Sequence, residues 1–546
     1  MRRTVLPLLI VQGACLAQPF IFNRGIANSA SSLPFGIPGG TIAQGSIFSI
    51  YGRSLGPATG VQPSAFPLNA TLSGVSVSVT DGITPLNAYP VYVSASQVNA
   101  IMPSNTPVGS VSVRVTVNGI ASNSVPVRIG PASLGLFTAL GTGAGPGIIF
   151  NYVTAAKQPL NSLTTPAKPG QVVTMWGTGL GPVAADNVAP AGGNLPVGIE
   201  VFVGGKSAST SYHGRSPCCA GDDQIVFQVP VNAPTGCWVP VNVQLAGTAV
   251  SNTVTMAITS DGSSCVASAS NPAKAFIQGG KVGLLAPMRA DINQSAPNSP
   301  LNLRADFLVA RFGQEKGGPL AFNPLVSLPP AGTCTAYAGQ GDWFISATLP
   351  NLAPSVAALD AGGGMVTAGG KSGTYVAAYS PLLLGYLGSL NPANTTAPDT
   401  TLLGPGIVKI QIAGGANVPS FNTTATMVSP LTWTNQSQIL TVNRANDLQL
   451  TWTGGSGQTV AAVGGNVDVI TNSSGIFVCV ASPGATSITV PAPILANVPQ
   501  GRGDPHYSKG AIFLVGAGAS GAFSASGLDQ GFLVPIYLTG EAVAFQ

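Results

Sequence analysis

Two stretches of this chain are near-copies, and the copying constrains what its first half can fold into. Gly45-Ser-Ile-Phe-Ser-Ile-Tyr-Gly-Arg-Ser-Leu-Gly-Pro57 returns as Gly170-Gln-Val-Val-Thr-Met-Trp-Gly-Thr-Gly-Leu-Gly-Pro182. Each reads as one apolar strand entering a glycine-rich turn closed by proline. Their surroundings repeat in the same order: Gly74–Val79 matches Gly198–Val203, Gln97–Pro103 matches Gln224–Pro230, and Ser122-Asn123 matches Ser251-Asn252. The offset grows only from 125 residues (Gly45 to Gly170) to 129 (Ser122 to Ser251), so the copies differ by a few loop insertions. Val-Ser-Val-Ser-Val79 and Val111-Ser-Val-Arg-Val-Thr-Val117 alternate strictly, and Asn118-Gly119 follows the second run. That is the pattern of half-buried strands and a tight hairpin.

Strands of this length at this spacing give tandem Ig-like β-sandwiches, here bounded at 31–130 and 131–266, with residues 18 to about 30 as a loose leader. The glycine-leucine-glycine-proline turn, Gln224-Ile-Val-Phe-Gln-Val-Pro230 and Ser251-Asn-Thr-Val254 resemble the IPT/TIG family of Ig-like domains, over roughly residues 31–265. Gly214-Arg-Ser-Pro-Cys-Cys-Ala-Gly-Asp-Asp-Gln224 also resembles a duplicated module of secreted soil-bacterial proteins. The resemblance implies an extracellular or surface β-sandwich and no shared catalytic residues. Gly177 and Gly181 recur as Gly52 and Gly56, which predicts left-handed backbone angles at these positions. Trp176 aligns with Tyr51 in a central strand, which predicts a core position.

Composition supports many short strands and tight turns. Only 7% of residues are charged, against about 25% in an average domain, while 45% are hydrophobic. Disorder needs the opposite balance. The 70 Gly and 46 Pro show no Gly-X-Y period, which excludes collagen. The 21 Lys+Arg and 17 Asp+Glu are scattered with no basic stripe, so nucleic acid is not an expected partner.

Met1-Arg-Arg3, the apolar run Val5–Val11 and Ala14-Cys-Leu-Ala17 read as a secretory signal cut near Ala17. The run is too short for a membrane span of about 20 residues, and no later segment is long and apolar enough for a transmembrane helix. The mature chain is therefore expected to be secreted or at the cell surface. It keeps Cys218, Cys219, Cys237, Cys265, Cys334 and Cys479, an even number that implies disulfides in an exported protein. Three successive strands, Gln224–Val229, Trp238–Leu245 and Asn252–Ile258, running up, down and up, bring Cys265 back to the end where Cys237 begins the middle strand. Cys219 lies roughly 30 Å away at about 3.3 Å per residue, beyond the ~7 Å a disulfide spans. Unless the loop carrying Cys219 folds back along the strand, Cys237 is thus expected to pair with Cys265, leaving Cys218 and Cys219 to each other or to nothing, and Cys334 to Cys479.

After Cys265 the texture changes, and residues 270–428 and 429–546 read as one β-rich domain and a second, or its continuation. Leu431-Thr-Trp-Thr434 is echoed by Leu450-Thr-Trp-Thr453. No helical period of any length appears. Catalytic patterns are weak throughout. Gly52-Arg-Ser54-Leu-Gly56 fits a nucleophile elbow, but no helix follows and the repeat places Gly179 at the serine position. Two His, His213 and His506, cannot complete a zinc site, and no cofactor is expected. Gly141–Gly147 lacks the Lys-Ser/Thr of a phosphate loop. The only Glu are Glu200, Glu315 and Glu541, so a glycosidase pair would need Asp342, Asp360, Asp504 or Asp529, all in apparent turns. Arg502-Gly-Asp504 is a three-letter adhesive tripeptide. Trp343 beside Asp342 is the candidate sugar-stacking ring. The reading is a non-enzymatic exported protein that spaces or adheres, with an extracellular protein or polysaccharide as partner. The alternative is a carbohydrate-binding or polysaccharide-active protein working through its C-terminal half.

Overall fold

The strand Ile47–Arg53 and its repeat Val172–Thr178 each sit inside a sheet, as their apolar runs require. The computed structural model describes residues 18–34, 36–245, 249–265, 273–294, 301–324, 326–340, 356–362, 364–368, 371–375, 378–380, 385–389, 402–501 and 510–546. The fold is all-β: among the described residues the α-helices are only Ala273–Gln278 and Ala492–Leu495. No helix there is long and apolar enough to cross a membrane.

In the first Ig-like module, Phe20–Asn28, Ile47–Arg53, Gln97–Ile101 and Leu86–Val93 form one face. Leu86–Val93 also pairs with Val75–Thr80, and the second face continues through Gly109–Val117 and Val125–Gly130 to Ile42–Ala43, which runs parallel. Alternation puts Val75, Val77, Val79, Val111, Val113 and Val115 into the core between the faces. Asn118 and Gly119 take φ of 48° and 84°, the left-handed pair a two-residue hairpin needs.

The second module repeats the arrangement. Gly135–Leu136, Val172–Thr178, Asp223–Gln228 and Thr210–Arg215 face Lys206–Ala208, Ile199–Val203, Gly236–Leu245 and Val254–Ile258. The repeated Ser-Asn pair has one job in both copies. Asn123 Oδ1 accepts from Ile21 N at 2.7 Å and its Nδ2 donates to Ile21 O at 3.0 Å. Asn252 makes the same two bonds to Leu136, at 2.7 and 3.0 Å. Ser122 and Ser251 accept from Val115 N and Val243 N. The pair therefore clamps the last part of each module to its first strand.

Three expectations are corrected here. Residues 20–28 are the first strand of module one rather than a loose leader. That strand carries a bulge at Asn23-Arg24-Gly25, where the register shifts between Ile21 and Ile26. The glycines act for different reasons: Gly181 has φ of 125°, but Gly52 and Gly177 are outside the left-handed region. A Cβ on Gly177 would meet Gly135 O at 2.5 Å, and on Gly52 it would meet Phe20 O at 2.1 Å, so these positions admit the first strand's backbone. Left-handed angles belong instead to Ser54 and its equivalent Gly179, at 55° and 119°. Finally, Trp176 is half-buried and Tyr51 exposed, because the alternating neighbours Val173 and Met175, or Phe48 and Ile50, point inward.

In the C-terminal half, a hairpin of two 15-residue strands, Gly280–Gln294 and Leu301–Glu315, enters a large sheet. That sheet runs Thr333–Gln340, Ser473–Val480, Thr459–Asp468, Ala511–Ala517, Ile536–Ala542, Gly280–Gln294, Leu301–Glu315. Strands from both sides of residue 428 therefore interleave in it. Gly364–Ala368, Gly406–Ile412 and Phe421–Met427 cover the hairpin end over Leu285, Leu308 and Phe312. At the other end Thr432–Trp433 pairs with Leu448–Thr453, so the two sequence echoes are partners: Trp433 stands opposite Trp452 in one core.

Candidate functional site

The segment 214–224 carries the densest buried polar chemistry of the N-terminal half. It joins Thr210–Arg215 to Asp223–Gln228, and the corresponding connection in module one is only Ser94-Ala-Ser96. The longer loop reaches back onto module one. Arg215 and Asp223 end and begin their strands as register partners, 3% and 0% exposed, and form an ion pair. Arg215 Nη2 donates to Gly181 O at 2.7 Å and to Gly45 O, across the module boundary, at 2.8 Å. Asp223 Oδ2 accepts from Gly179 N at 2.6 Å and Leu180 N at 2.7 Å. One buried pair thus ties both copies of the repeated glycine motif together. Thr178 Oγ1 adds to it, accepting from Ile47 N at 2.8 Å and donating to Gly221 O at 2.6 Å.

Burial pushes the Asp223 carboxyl up, while Arg215 and the two backbone donors pull it down. Its role as acceptor of charge-assisted bonds is that of the ionised form. Asp222 beside it is pushed up to about 7 by burial first and by the Asp223 charge second, with Arg215 opposing. Ala220 packs with Ile47, Leu68 and Ile101 of module one, on the outer face of that module's sheet. Ser104 completes the junction, donating through N and Oγ to Asp186 at 2.7 and 2.6 Å. Beside it Arg215, Ala220, Gly221 and the loop 182–195 enclose a cavity of about 400 Å³, lined mostly by Ala, Val and Pro.

The cysteines form three disulfides. Cys218 and Cys219 are bridged within this loop. Cys237 joins Cys265 with Cα atoms 5.6 Å apart, next to the contact of module two with the C-terminal half, where Trp238, Phe322 and Tyr337 pack. Cys334 and Cys479 stand opposite each other on paired strands, Cα atoms 4.0 Å apart. The up-down-up assumption needs one correction: Asp223–Gln228 lies in the opposite sheet from Gly236–Leu245, and only the last two strands are a pair.

Other candidates separate. Trp343, Asp342, Asp504, His506, the Arg502-Gly-Asp504 tripeptide and the signal segment with Ala17 lie outside the described residues. His213 is a strand residue opposite Ile225. Asp360 is a turn carboxylate, accepting from Gly362 N and Ala416 N, and these bonds hold it below the usual carboxylate range. Asp529 accepts from Lys281 N. Among the described residues no three His, Cys, Asp or Glu side chains could hold a metal.

A second charged cluster, missed in the sequence, lies on one face of the long hairpin. Arg289 faces Asp306 and Asp291 faces Arg304 across the strands, and Tyr537 donates to Asp291 Oδ2 at 2.7 Å. Asp306 is fully buried and accepts from Leu402 N and Leu403 N, while Arg289 donates to Leu403 O at 3.0 Å. Its buried half ties a loop to the hairpin rather than opening toward a substrate. The only sequence signal for it was charge scarcity, four ionisable residues between 289 and 306 in a chain that is 7% charged.

No protein-family model matches the chain, and no curated protein matches it. Solved structures similar to it include the titin Ig tandem A164-A165, 12% identical, covering 40% of this chain and 91% of that one at a TM-score of 0.12. The surface layer protein SbsC, domains 4–9, is 12% identical, covering 94% of this chain and 65% of that one at 0.16. SGBP-B from a xyloglucan utilization locus of Bacteroides uniformis is 11% identical, covering 68% and 85% at 0.16. At these scores none carries an argument about ligand or activity. The strand topology by itself defines a tandem Ig-like, all-β protein.

Proposed function

We propose that the chain is an exported, non-catalytic protein of the IPT/TIG type, a rigid β-sandwich array that spaces and presents binding surfaces outside the cell. The observation that carries this reading is the Arg215–Asp223 junction. Two modules joined through a buried, hydrogen-bonded contact hold a fixed mutual orientation, which a spacer needs and a flexible tether lacks. Three disulfides fit an oxidising compartment. The signal segment is the route out, with a cut near Ala17 that leaves Gln18 two residues before the first strand. The partner class is an extracellular protein or polysaccharide.

The test combines location and chemistry. Expressed with its native N-terminus in a bacterial host, the protein is expected outside the cytoplasm, beginning at Gln18 by mass spectrometry. Incubated with a panel of polysaccharides, it releases no reducing ends. Cytoplasmic retention with an uncut N-terminus, or steady release of reducing ends, contradicts the reading.

A further inference from the structure

The bulge in the first strand and the last strand of module one open onto a groove that the junction does not use. Asn23, Arg24, Ser110 and Arg128 line its module-one side, and Gln340 and Thr471 of the C-terminal half close it, around a volume of about 670 Å³. That is within the ~300–1,000 Å³ of ordinary ligand sites.

Two features separate it from a packing gap. Arg24 has φ of 58°, a conformation a non-glycine residue rarely takes. The bulge is held there by Gln340 Nε2, which donates to Arg24 O at 3.1 Å, and by Arg24 Nη2, which donates to Ile470 O. Backbone strain of this kind persists only where its surroundings hold it, and bulges re-aim side chains. Arg128 sits across from Ser110, is exposed, and has no hydrogen bond or ion pair among the described residues. No carboxylate is among the groove's lining residues. The carboxylate nearest in sequence to that lining, Asp468, is buried behind Thr471 and accepts its hydroxyl at 2.7 Å.

We propose that this groove binds an anionic polysaccharide, a chain of sugar rings carrying carboxylates at intervals; the assignment rests on the exported, non-catalytic reading above. Two guanidiniums fit widely spaced carboxylates. A nucleic acid, with a charge at every step, requires a dense basic stripe and stacking rings. The groove has neither, since no aromatic residue lines it. Amide and hydroxyl groups from Asn23, Ser110 and Gln340, also in the lining, suit sugar hydroxyls.

Affinity electrophoresis of the full mature chain tests this, in gels holding polygalacturonate or its full methyl ester. Retardation is expected on polygalacturonate, lost on the ester and in high salt. Arg128→Gln should weaken it about fivefold, the upper range for one exposed ion pair, and Arg128→Lys should restore most of it. Arg128 has no structural partner, so the variant folds as the parent does, checked by its unfolding midpoint. Equal retardation on the ester, an unaffected Arg128→Gln, or equal binding to poly-glutamate or single-stranded DNA overturns the assignment. No retardation on polygalacturonate also overturns it, and leaves the exported, non-catalytic reading standing on its own two assays.

Discussion

The two Ig-like modules share one strand set but treat the same connection differently. Module one crosses from Leu86–Val93 to Gln97–Ile101 through Ser94-Ala-Ser96. Module two crosses from Thr210–Arg215 to Asp223–Gln228 through a loop with a disulfide, a buried ion pair and Ala220 seated on module one. The Ser-Asn clamp, needed to close each sandwich, is kept in both. The connection is long only in the module whose loop docks, and Cys218 and Cys219 lie within it. Module one meets Arg215 and Thr178 through backbone, at Gly45 and Ile47, and adds the Ser104 hydroxyl and the apolar side chains of Ile47, Leu68 and Ile101.

The largest effect is expected at the N-terminus. A fragment 31–130 lacks Phe20–Asn28, leaving Asn123 without Ile21 and Ile47–Arg53 without a neighbour on that side. It is expected to show no cooperative urea transition, whereas 18–130 does. A cooperative 31–130 would mean that the first strand is dispensable and the clamp ornamental.

Next in size is the ion pair. Asp223→Asn leaves Arg215 buried and weakly paired, which should cost about 3–5 kcal/mol by urea unfolding of the full chain. Arg215→Met with Asp223→Leu removes both charges and should cost much less. A single substitution as mild as the double would contradict the assigned role.

The two Ser-Asn clamps also differ in strength. Asn252 adds a third bond, to Gly143 O at 2.7 Å, and is 3% exposed, whereas Asn123 makes two and is half-buried. Alanine should cost about 2–3 kcal/mol at Asn252 and about 1–2 at Asn123, since an unmade buried bond costs ~1–3 kcal/mol. The reverse order would show that the modules do not close alike.

The remaining prediction concerns pH. Burial and the Asp223 charge raise Asp222 from 3.8 to about 7 in the folded chain. A raised carboxyl stabilises the fold fully below its unfolded value, and that contribution is lost as pH rises through the folded value. Stability should therefore decline between about pH 4 and 7, and Asp222→Asn should flatten the decline. An unchanged slope in that variant assigns the pH dependence elsewhere.

Much of the architecture was legible because it is local and repeated. Strict alternation at Val75–Val79 and the Asn118-Gly119 turn fix strands and hairpin without tertiary help. The first strand was hidden by its bulge, where Asn23-Arg24-Gly25 interrupts the apolar pattern. The role of the glycines was legible only as a requirement: the repeat marks Gly52 and Gly177 as fixed, while the strands crowding them, at Phe20 and Gly135, lie 32 and 42 residues upstream. The junction left a faint signal, since Arg215 and Asp223 flank the insertion in a chain poor in charge. The groove left none, because residues 24, 128, 340 and 471 meet only after folding.

Arg215 fastens both glycine motifs at once, through Gly45 O and Gly181 O. Hydrogen exchange by mass spectrometry on the full mature chain, wild type against Arg215→Met, reads both sides in one experiment. Peptides spanning 45–53 in module one and 178–183 in module two are predicted to lose protection together, because Ile47 N and Leu180 N depend on the same buried contact. Lost protection in 178–183 with 45–53 unchanged would show that the modules are held by something other than this pair.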